Sequence, residues 1–357
     1  MLTGQGSRLQ FPPVSWRVIH ILESLEPSAG SIAICVAGLV RALREADIDS
    51  EAIDDADCLG EAIRGANLLH IHGWGYELAE RAAKAACRQG KPYVVSPLGL
   101  LTPGLHNRKS LGRKLRSILT RRTLIRRAAA MGALNTEDER RMLAANVHKN
   151  VRLLPYGLFF DECRDGGGTR PSTKEASAPG RTLLMLGPID PVYGCVALLK
   201  ALAELGPEAD GWSVVLAGRE VGIWRKMLEA AVRRKGGEDR VQFAGADSLT
   251  EQREWLARAT LLVAPGLHVQ PAVSIMLAIA AGVPAIASTF CVPPGFESVL
   301  RVCGASRAEL RETLRATMML TGEERRGSAI RAFAAAKAAL DWSVLAPKYA
   351  QLYREIA

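Results

Sequence analysis

The chain has 357 residues, 48% hydrophobic and 23% charged, with a formal net charge of +9. That length is enough for two ordinary domains with sizeable cores, and the balance is that of a soluble globular protein. The basic excess favours an anionic partner or surface and carries no information about fold.

The seven cysteines are Cys35, Cys58, Cys87, Cys163, Cys195, Cys291 and Cys303. They are odd in number, widely spaced and never paired as C-x-x-C, which points to reduced, mostly buried thiols of a cytosolic protein. The opening MLTGQGSRLQFPPVSW lacks the apolar core of a secretory signal, and residues 1–15 read as a loose leader. Trp16–Leu22 is a strand-like apolar run. A turn over Glu26–Ser31 follows, then a helix over Ile32–Ala46 with apolar positions at Ile32, Val36, Leu39, Val40 and Leu43. A strand, a glycine turn and a helix open a Rossmann-like half. The turn at Gly30-Ser31 is either an ordinary strand-to-helix turn or an anion-facing helix start.

Asn67–His72 reads as the next strand, and its alternation puts His70 and His72 on one face. A metal site needs more ligands than these two, and no third is visible nearby in the sequence. A helix over Tyr76–Gln89 ends at Gly90, and Lys91–Ser96 is a strand running into Pro97-Leu98-Gly99. From Arg108 to Arg127 there are nine basic residues and no acid, with Leu111, Leu115, Ile118, Leu119 and Ile125 interleaved at helical spacing. This basic amphipathic helix is either a solvated face or a docking element for an anionic membrane, with Arg113, Lys114, Arg116, Arg121 and Arg122 as the contacts. Nucleic acid is disfavoured, because the stretch has no aromatics to stack bases. Ala128–Leu134 is a short strand. Thr136 is read as an N-cap with Glu139 three residues on, and Val151–Pro155 is a last strand.

Asp161–Arg181 is rich in Gly, Ser, Thr and Pro and reads as an interdomain linker. The organisation is then a first domain over 1–160, a linker over 161–181, a second domain over 182–335 and a terminal crossover helix over 336–357. The second half restarts with a strand at Thr182–Leu186, the turn Gly187–Gly194 and a helix at Cys195–Leu205. Strands follow at Trp212–Gly218 and Val241–Gly245, with a helix over Gly222–Lys235 between them, and Glu251–Arg258 leads into the next strand. Ala259–Ser288 reads strand, turn, helix, tight turn, strand, stopped by Gly282 and Pro284, and no Asp, Glu, Lys or Arg occurs between Arg258 and Glu297. That run is deeply buried or faces something uncharged. Its prolines, His268 and Gln270 argue against a membrane span.

The scaffold of this last segment, Val263-Ala264-Pro265 and then Ala278-Ile279-Ala280-Ala281-Gly282-Val283-Pro284-Ala285-Ile286-Ala287, resembles the donor-site block of glycosyltransferase family 4. These are retaining nucleotide-sugar transferases with a GT-B fold: two Rossmann-like domains facing across a cleft, with a C-terminal helix crossing back to the first. Asp341-Trp342-Ser343, Tyr349 and Tyr353-Arg354 match the family's closing helix, so the resemblance covers about residues 16–356. It implies a donor side formed by Gly187, Pro188, Tyr193, Gly194, Gly218, Arg219, His268 and Val273, and an acceptor side formed by Gly30, Ser31, His72 and Gly99. It implies no metal and no cofactor beyond a UDP- or GDP-sugar donor. A cytoplasmic place, peripheral to the inner face of a membrane, would bring it to lipid-linked glycans or a partner glycosyltransferase.

The chemical half of the family pattern is replaced. Its donor Arg and Lys fall on Pro188 and Tyr193, its two Glu on Val269 and Leu277, and its cleft His on Leu98. Losing two charge-assisted contacts to a diphosphate would cost roughly 3–6 kcal/mol, two to four decades of affinity. Three readings stay open. One is a degenerate family-4-like protein with a binding role in cell-surface polysaccharide or glycolipid assembly. The second is an active transferase whose donor site is rebuilt around Arg219 and His268. The third is a lipid- or nucleic-acid-binding module using the basic helix alone.

Overall fold

A computed structural model describes residues 16–26, 31–99, 122–165 and 181–357. The basic stretch 108–121, the leader 1–15 and Gly30 lie outside the described residues, and so do the contacts expected of Arg113, Lys114, Arg116 and Arg121. Arg122 is exposed at the start of a short helical segment, 122–127.

The first sheet has six parallel strands, β1 (Arg17–Ile21), β2 (Asp49–Ile53), β3 (Leu68–His72), β4 (Tyr93–Ser96), β5 (Ala130–Ala133) and β6 (Val151–Leu153), in the order β2-β1-β3-β4-β5-β6. The second, also parallel, contains β7 (Arg181–Leu186), β8 (Trp212–Ala217), β9 (Val241–Ala244), β10 (Leu261–Ala264), β11 (Ala285–Ser288) and β12 (Arg301–Cys303), in the order β12-β11-β10-β7-β8-β9. Central strands β3, β4, β5 and β11 are buried along their whole length. Strands covered on both faces by helices read as continuous apolar runs, which is why the sequence shows them. The edge strands β2, with the sequence DSEAI, and β12, with RVC, lack that signature and are absent from the sequence reading.

The start of the expected linker is structured, with Phe160–Asp165 forming a short helix. The expected cap at Thr136 moves by one residue. Asn135 is the N-cap, accepting from the Asp138 amide at 2.9 Å, while Thr136 is the first helical residue. Asn135 wins because its amide nitrogen also donates to the Phe290 carbonyl across the molecule at 3.0 Å.

The chain closes with helices Gly322–Leu340 and Trp342–Ile356, broken at Asp341. The last helix lies against the first domain. Trp342, Tyr349 and Tyr353 are at most 1% exposed, and the Tyr349 hydroxyl donates to the Leu154 and Pro155 carbonyls at 3.1 Å. It packs on helix Ser31–Glu45, where Gly38 leaves room for the Trp342 ring. All seven cysteines are free thiols, and Cys35, Cys195, Cys291 and Cys303 are buried. Among the described residues no helix is long and apolar enough to cross a membrane.

Candidate functional site

The residues expected on the donor side converge at the C-terminal ends of β7, β8 and β10. The Gly187 amide donates to the Ala217 carbonyl at 2.9 Å, and the Ile189 amide to the Arg219 carbonyl at 3.0 Å, so the turns after β7 and β8 run side by side. Asp190 accepts from the Val192 amide at 2.8 Å and starts the single turn Pro191–Tyr193. Gly194 closes that turn at φ +85° and continues into helix Cys195–Leu205. A Cβ there would clash with the Pro265 carbonyl, so glycine lets the β10 loop press against the turn.

Tyr193 is half-buried, with its ring beside Gly187. Burial raises its hydroxyl pKa, and the nearby Arg219 guanidinium works against that rise. Arg219 is exposed, Pro188 half-buried, and the half-buried His268 has an Nδ1 with no hydrogen-bond partner among the described residues. Gly218 completes the group, packed backbone to backbone on Gly187.

Where a cleft would separate the two domains, apolar side chains meet. Val269, Val273 and Leu277 are 3%, 1% and 2% exposed. They belong to one continuous core that also holds Val18, Cys35, Val36, Leu39 and Val94 of the first domain, with Leu98 packed on it. Leu98 and Gly99 both take positive φ, +58° and +76°. A Cβ on Gly99 would clash with the Val269 carbonyl oxygen and sit 3.0 Å from its carbon. The β4 loop is therefore driven onto the loop after β10 until backbone meets backbone. The buried Asn135–Phe290 hydrogen bond and the Arg141 guanidinium, 4.5 Å from the Phe290 ring centre, hold a second point of the same junction. Beside the Asn135–Phe290 contact lies a gap of about 10 Å³, lined by Leu134, Asn135, Tyr156, Gln270, Pro271 and Pro293 among others. That is room for about one water molecule.

The expectation that His70 and His72 have no third histidine nearby is corrected. His20, on the neighbouring β1, stands directly beside them, fifty residues away in sequence and in register with His70. One ring nitrogen from each of the three lies within 4.8 Å of the other two, and all three rings are buried. His20 Nδ1 and His72 Nε2 are 2.8 Å apart, His20 Nε2 meets Ser50 Oγ at 3.1 Å, and His72 Nδ1 meets the Tyr156 hydroxyl at 2.6 Å. His70 is held by the Tyr353 hydroxyl at 2.6 Å and Ser96 Oγ at 2.8 Å. Every imidazole nitrogen thus has a partner, and a metal ion would have to displace those partners. Burial keeps the rings neutral: His20 is lowered to about 3, and His70 and His72 fall well below the ordinary histidine value. Both His72 nitrogens are engaged inside the fold. The network ties β1, β2, β3 and β4 to the segment after β6 and to the closing helix. Ser31 begins the first helix, but Gly30 beside it lies outside the described residues.

Sequence reasoning did not find His20, Ser50, Ser96, Tyr156 or Tyr353 as partners, nor Asn135 as a junction residue. Their separations in sequence run from 26 to 283 residues. The one available signal was a histidine inside the first apolar strand, at the register position opposite His70.

Residues 180–305 match the family model described as Glycosyl transferases group 1. The GDP-mannose:cellobiosyl-diphosphopolyprenol alpha-mannosyltransferases of Xanthomonas oryzae pv. oryzae (strain PXO99A) and Xanthomonas campestris are each 26% identical over 238 residues, 66% and 65% of this chain. The match spans 58% of those relatives' own length. Sucrose-phosphate synthase from Thermosynechococcus elongatus superposes with a TM-score of 0.70 at 17% identity, over 96% of this chain and 99% of that one. HepE of Anabaena in complex with UDP and glucose gives a TM-score of 0.70 at 17% identity, over 95% and 100% of the two chains. The trehalose-6-phosphate structure from E. coli with UDP-2-fluoro glucose gives 0.68 at 11% identity, over 96% and 99%. These likenesses establish the GT-B fold for the two facing parallel sheets.

Proposed function

We propose that the chain is a divergent group 1 glycosyltransferase, matched to that family through residues 180–305, and that its donor site is shut. Its role would then be that of a binding or scaffolding subunit in cell-surface polysaccharide or glycolipid assembly. The observation that carries this reading is the apolar seal. Val269, Val273 and Leu277 are buried in a core shared by both domains, with Gly99 pressed onto the Val269 backbone.

A nucleotide sugar brings a diphosphate that must exchange water for cations or amide donors, and its transfer develops further charge on the leaving group. The side chains of Leu98, Val269 and Leu277 offer neither, and Pro188 has no amide hydrogen to give. The relatives are named for a diphosphopolyprenol-linked glycan and GDP-mannose. This supports a lipid-linked glycan, or a transferase working on one, as the class of partner.

The alternative is an active retaining transferase with a rebuilt donor site. Arg219 and the unpartnered Nδ1 of His268, at the ends of β8 and β10, favour it. Calorimetric titration of the full chain with UDP, GDP, UDP-glucose and GDP-mannose separates the two. No heat of binding up to millimolar ligand is the expected result. Micromolar binding that Arg219→Ala and His268→Ala abolish would overturn the sealed site and establish the rebuilt one.

A further inference from the structure

We propose that His20, His70 and His72 form a binding site for one divalent first-row transition metal, zinc above all. His20 lies on β1 and the other two on the neighbouring β3, inside the first sheet. His20 and His70 are in register, and the two-residue period of β3 brings His72 to the same face. Three imidazoles thus meet from adjacent strands, and each puts one ring nitrogen within 4.8 Å of the other two. Imidazole is a ligand that zinc, copper and nickel share, whereas calcium and magnesium take oxygen. The rings are buried and neutral, which is the form that binds a metal. As core filling, three imidazoles side by side are costly beside apolar side chains, which have no polar groups to desolvate. As a ligand set they match the three-histidine zinc site.

The hydrogen bonds already present set what an ion must displace. His20 Nδ1 and His72 Nε2 are 2.8 Å apart and are each other's partner. Two nitrogens bound to one zinc at about 2.0–2.1 Å with tetrahedral angles are about 3.3 Å apart, so this pair must part by roughly half an ångström. The two rings then give up only each other. The proton between them passes to the outer nitrogen of the ring that carries it, Nε2 of His20 or Nδ1 of His72, and none is released. Ser50 Oγ at 3.1 Å and the Tyr156 hydroxyl at 2.6 Å accept there. These hydroxyls then act as the outer partners that fix tautomer and ring orientation around a metal. His70 releases one of its two hydroxyls, Tyr353 or Ser96, and keeps the other in the same role. The closing helix covers the triad, with the Tyr353 ring centre 5.8 Å from that of His70 and 6.2 Å from that of His20. The ion therefore enters during folding, before that helix is seated. The site is separate from the donor side and stands whether or not that side is shut.

The test is the metal content of the full chain, free of any histidine tag, expressed with zinc in the medium and dialysed against a weak chelator. About one zinc per chain is the expected result, with an unfolding temperature several degrees above that of chain grown in zinc-depleted medium. Cobalt in place of zinc should give the visible bands of a four-coordinate site without a thiolate charge-transfer band, which separates the triad from the seven cysteines. His20→Gln and His72→Gln should each lose the metal, and His148→Gln, outside the triad, should keep it. X-ray absorption on the wild-type zinc form, which depends on no variant folding, should count three imidazoles. The proposal is overturned by a wild-type chain that retains no zinc, by cobalt bound through thiolate, or by fewer than three imidazoles on the zinc. Metal kept by His20→Gln, or lost by His148→Gln, overturns it equally and leaves the three rings a hydrogen-bond network alone.

Discussion

Gly99 holds a φ of +76° with the Val269 carbonyl where a Cβ would go. Gly99→Ala therefore meets two penalties at once, the left-handed backbone and a clash with backbone that cannot swing aside, for a loss of about 2 kcal/mol or more. A fall of several degrees in the unfolding temperature is the expected outcome. An unchanged temperature would mean that the two loops part freely and that the seal is not a fixed contact.

The three histidines set a pH dependence at the same scale. His20 is lowered to about 3 by burial, His70 is lowered by burial and by His20, and His72 by burial, His70 and His20. Below the ordinary histidine value the unfolded chain takes up protons that the folded chain refuses, so stability falls as pH falls from about 6.5 towards 4. The slope is about 1.4 kcal/mol per pH unit for each histidine. Asp138, raised to about 6 by burial, works in the opposite sense, because its folded form takes a proton before its unfolded form does, and it offsets about one histidine between pH 6 and 4. Glu137, lowered to about 2 by its bonds to Arg140 and Arg141, loses its contribution only below its ordinary range. Urea unfolding at pH 7.5 and pH 5.5 should show a clear drop in midpoint. A midpoint that does not move over that range would mean that the histidines are not held neutral.

At the scale of the element, Asp341 is the joint between the two closing helices and the end of the first domain. One carboxylate oxygen accepts from the Ser343 amide at 3.0 Å and its hydroxyl at 2.7 Å, and the other accepts from the Phe160 amide at 3.0 Å. Asp341→Ala removes a helix cap and leaves a buried amide unpaired, costing about 2–3 kcal/mol. Asp341→Asn, which keeps an acceptor, should recover part of the loss in thermal unfolding. Equal losses in both variants would place the effect in the charge and not in the cap.

Elements were legible in the sequence in proportion to their apolar content. Cys195–Leu205 was read with the bounds it has, because an amphipathic helix writes its period into the chain. DSEAI at the sheet edge is polar, and only its neighbour β1 makes it a strand. The donor-side group was legible as a set of turns after glycines. The closing of those turns against Gly99 was not, because it depends on a loop from the other domain, 170 residues away. The histidine partners were hidden for the same reason, since register between strands is a tertiary fact.

At the scale of the whole molecule, one apolar cluster runs through both domains, beside a second confined to the first domain around Ile19, Ile71 and Val95 and a third confined to the second around Leu183, Leu216 and Val263. Residues of β1, helix Ser31–Glu45, β7, helix Val273–Ala280 and the closing helix Trp342–Ile356 share a single apolar cluster. Two domains that open and close on a substrate keep a smaller, more polar interface and unfold with some independence. Here neither half can lose its packing without exposing apolar surface of the other, so the chain should unfold in one step despite its 357 residues. A calorimetric scan is expected to give a single endotherm whose calorimetric and van't Hoff enthalpies agree. Millimolar UDP-glucose or GDP-mannose should leave the transition temperature where it is, since a ligand raises it only by binding the folded state. Removing residues 342–357 should abolish the transition in both halves, because that helix carries Trp342, Tyr349 and Tyr353 into the shared core. Two resolved transitions, or a truncated chain that keeps one half folded, would divide the core. A cleft able to open would then be back in contention, and with it a protein able to take a nucleotide sugar.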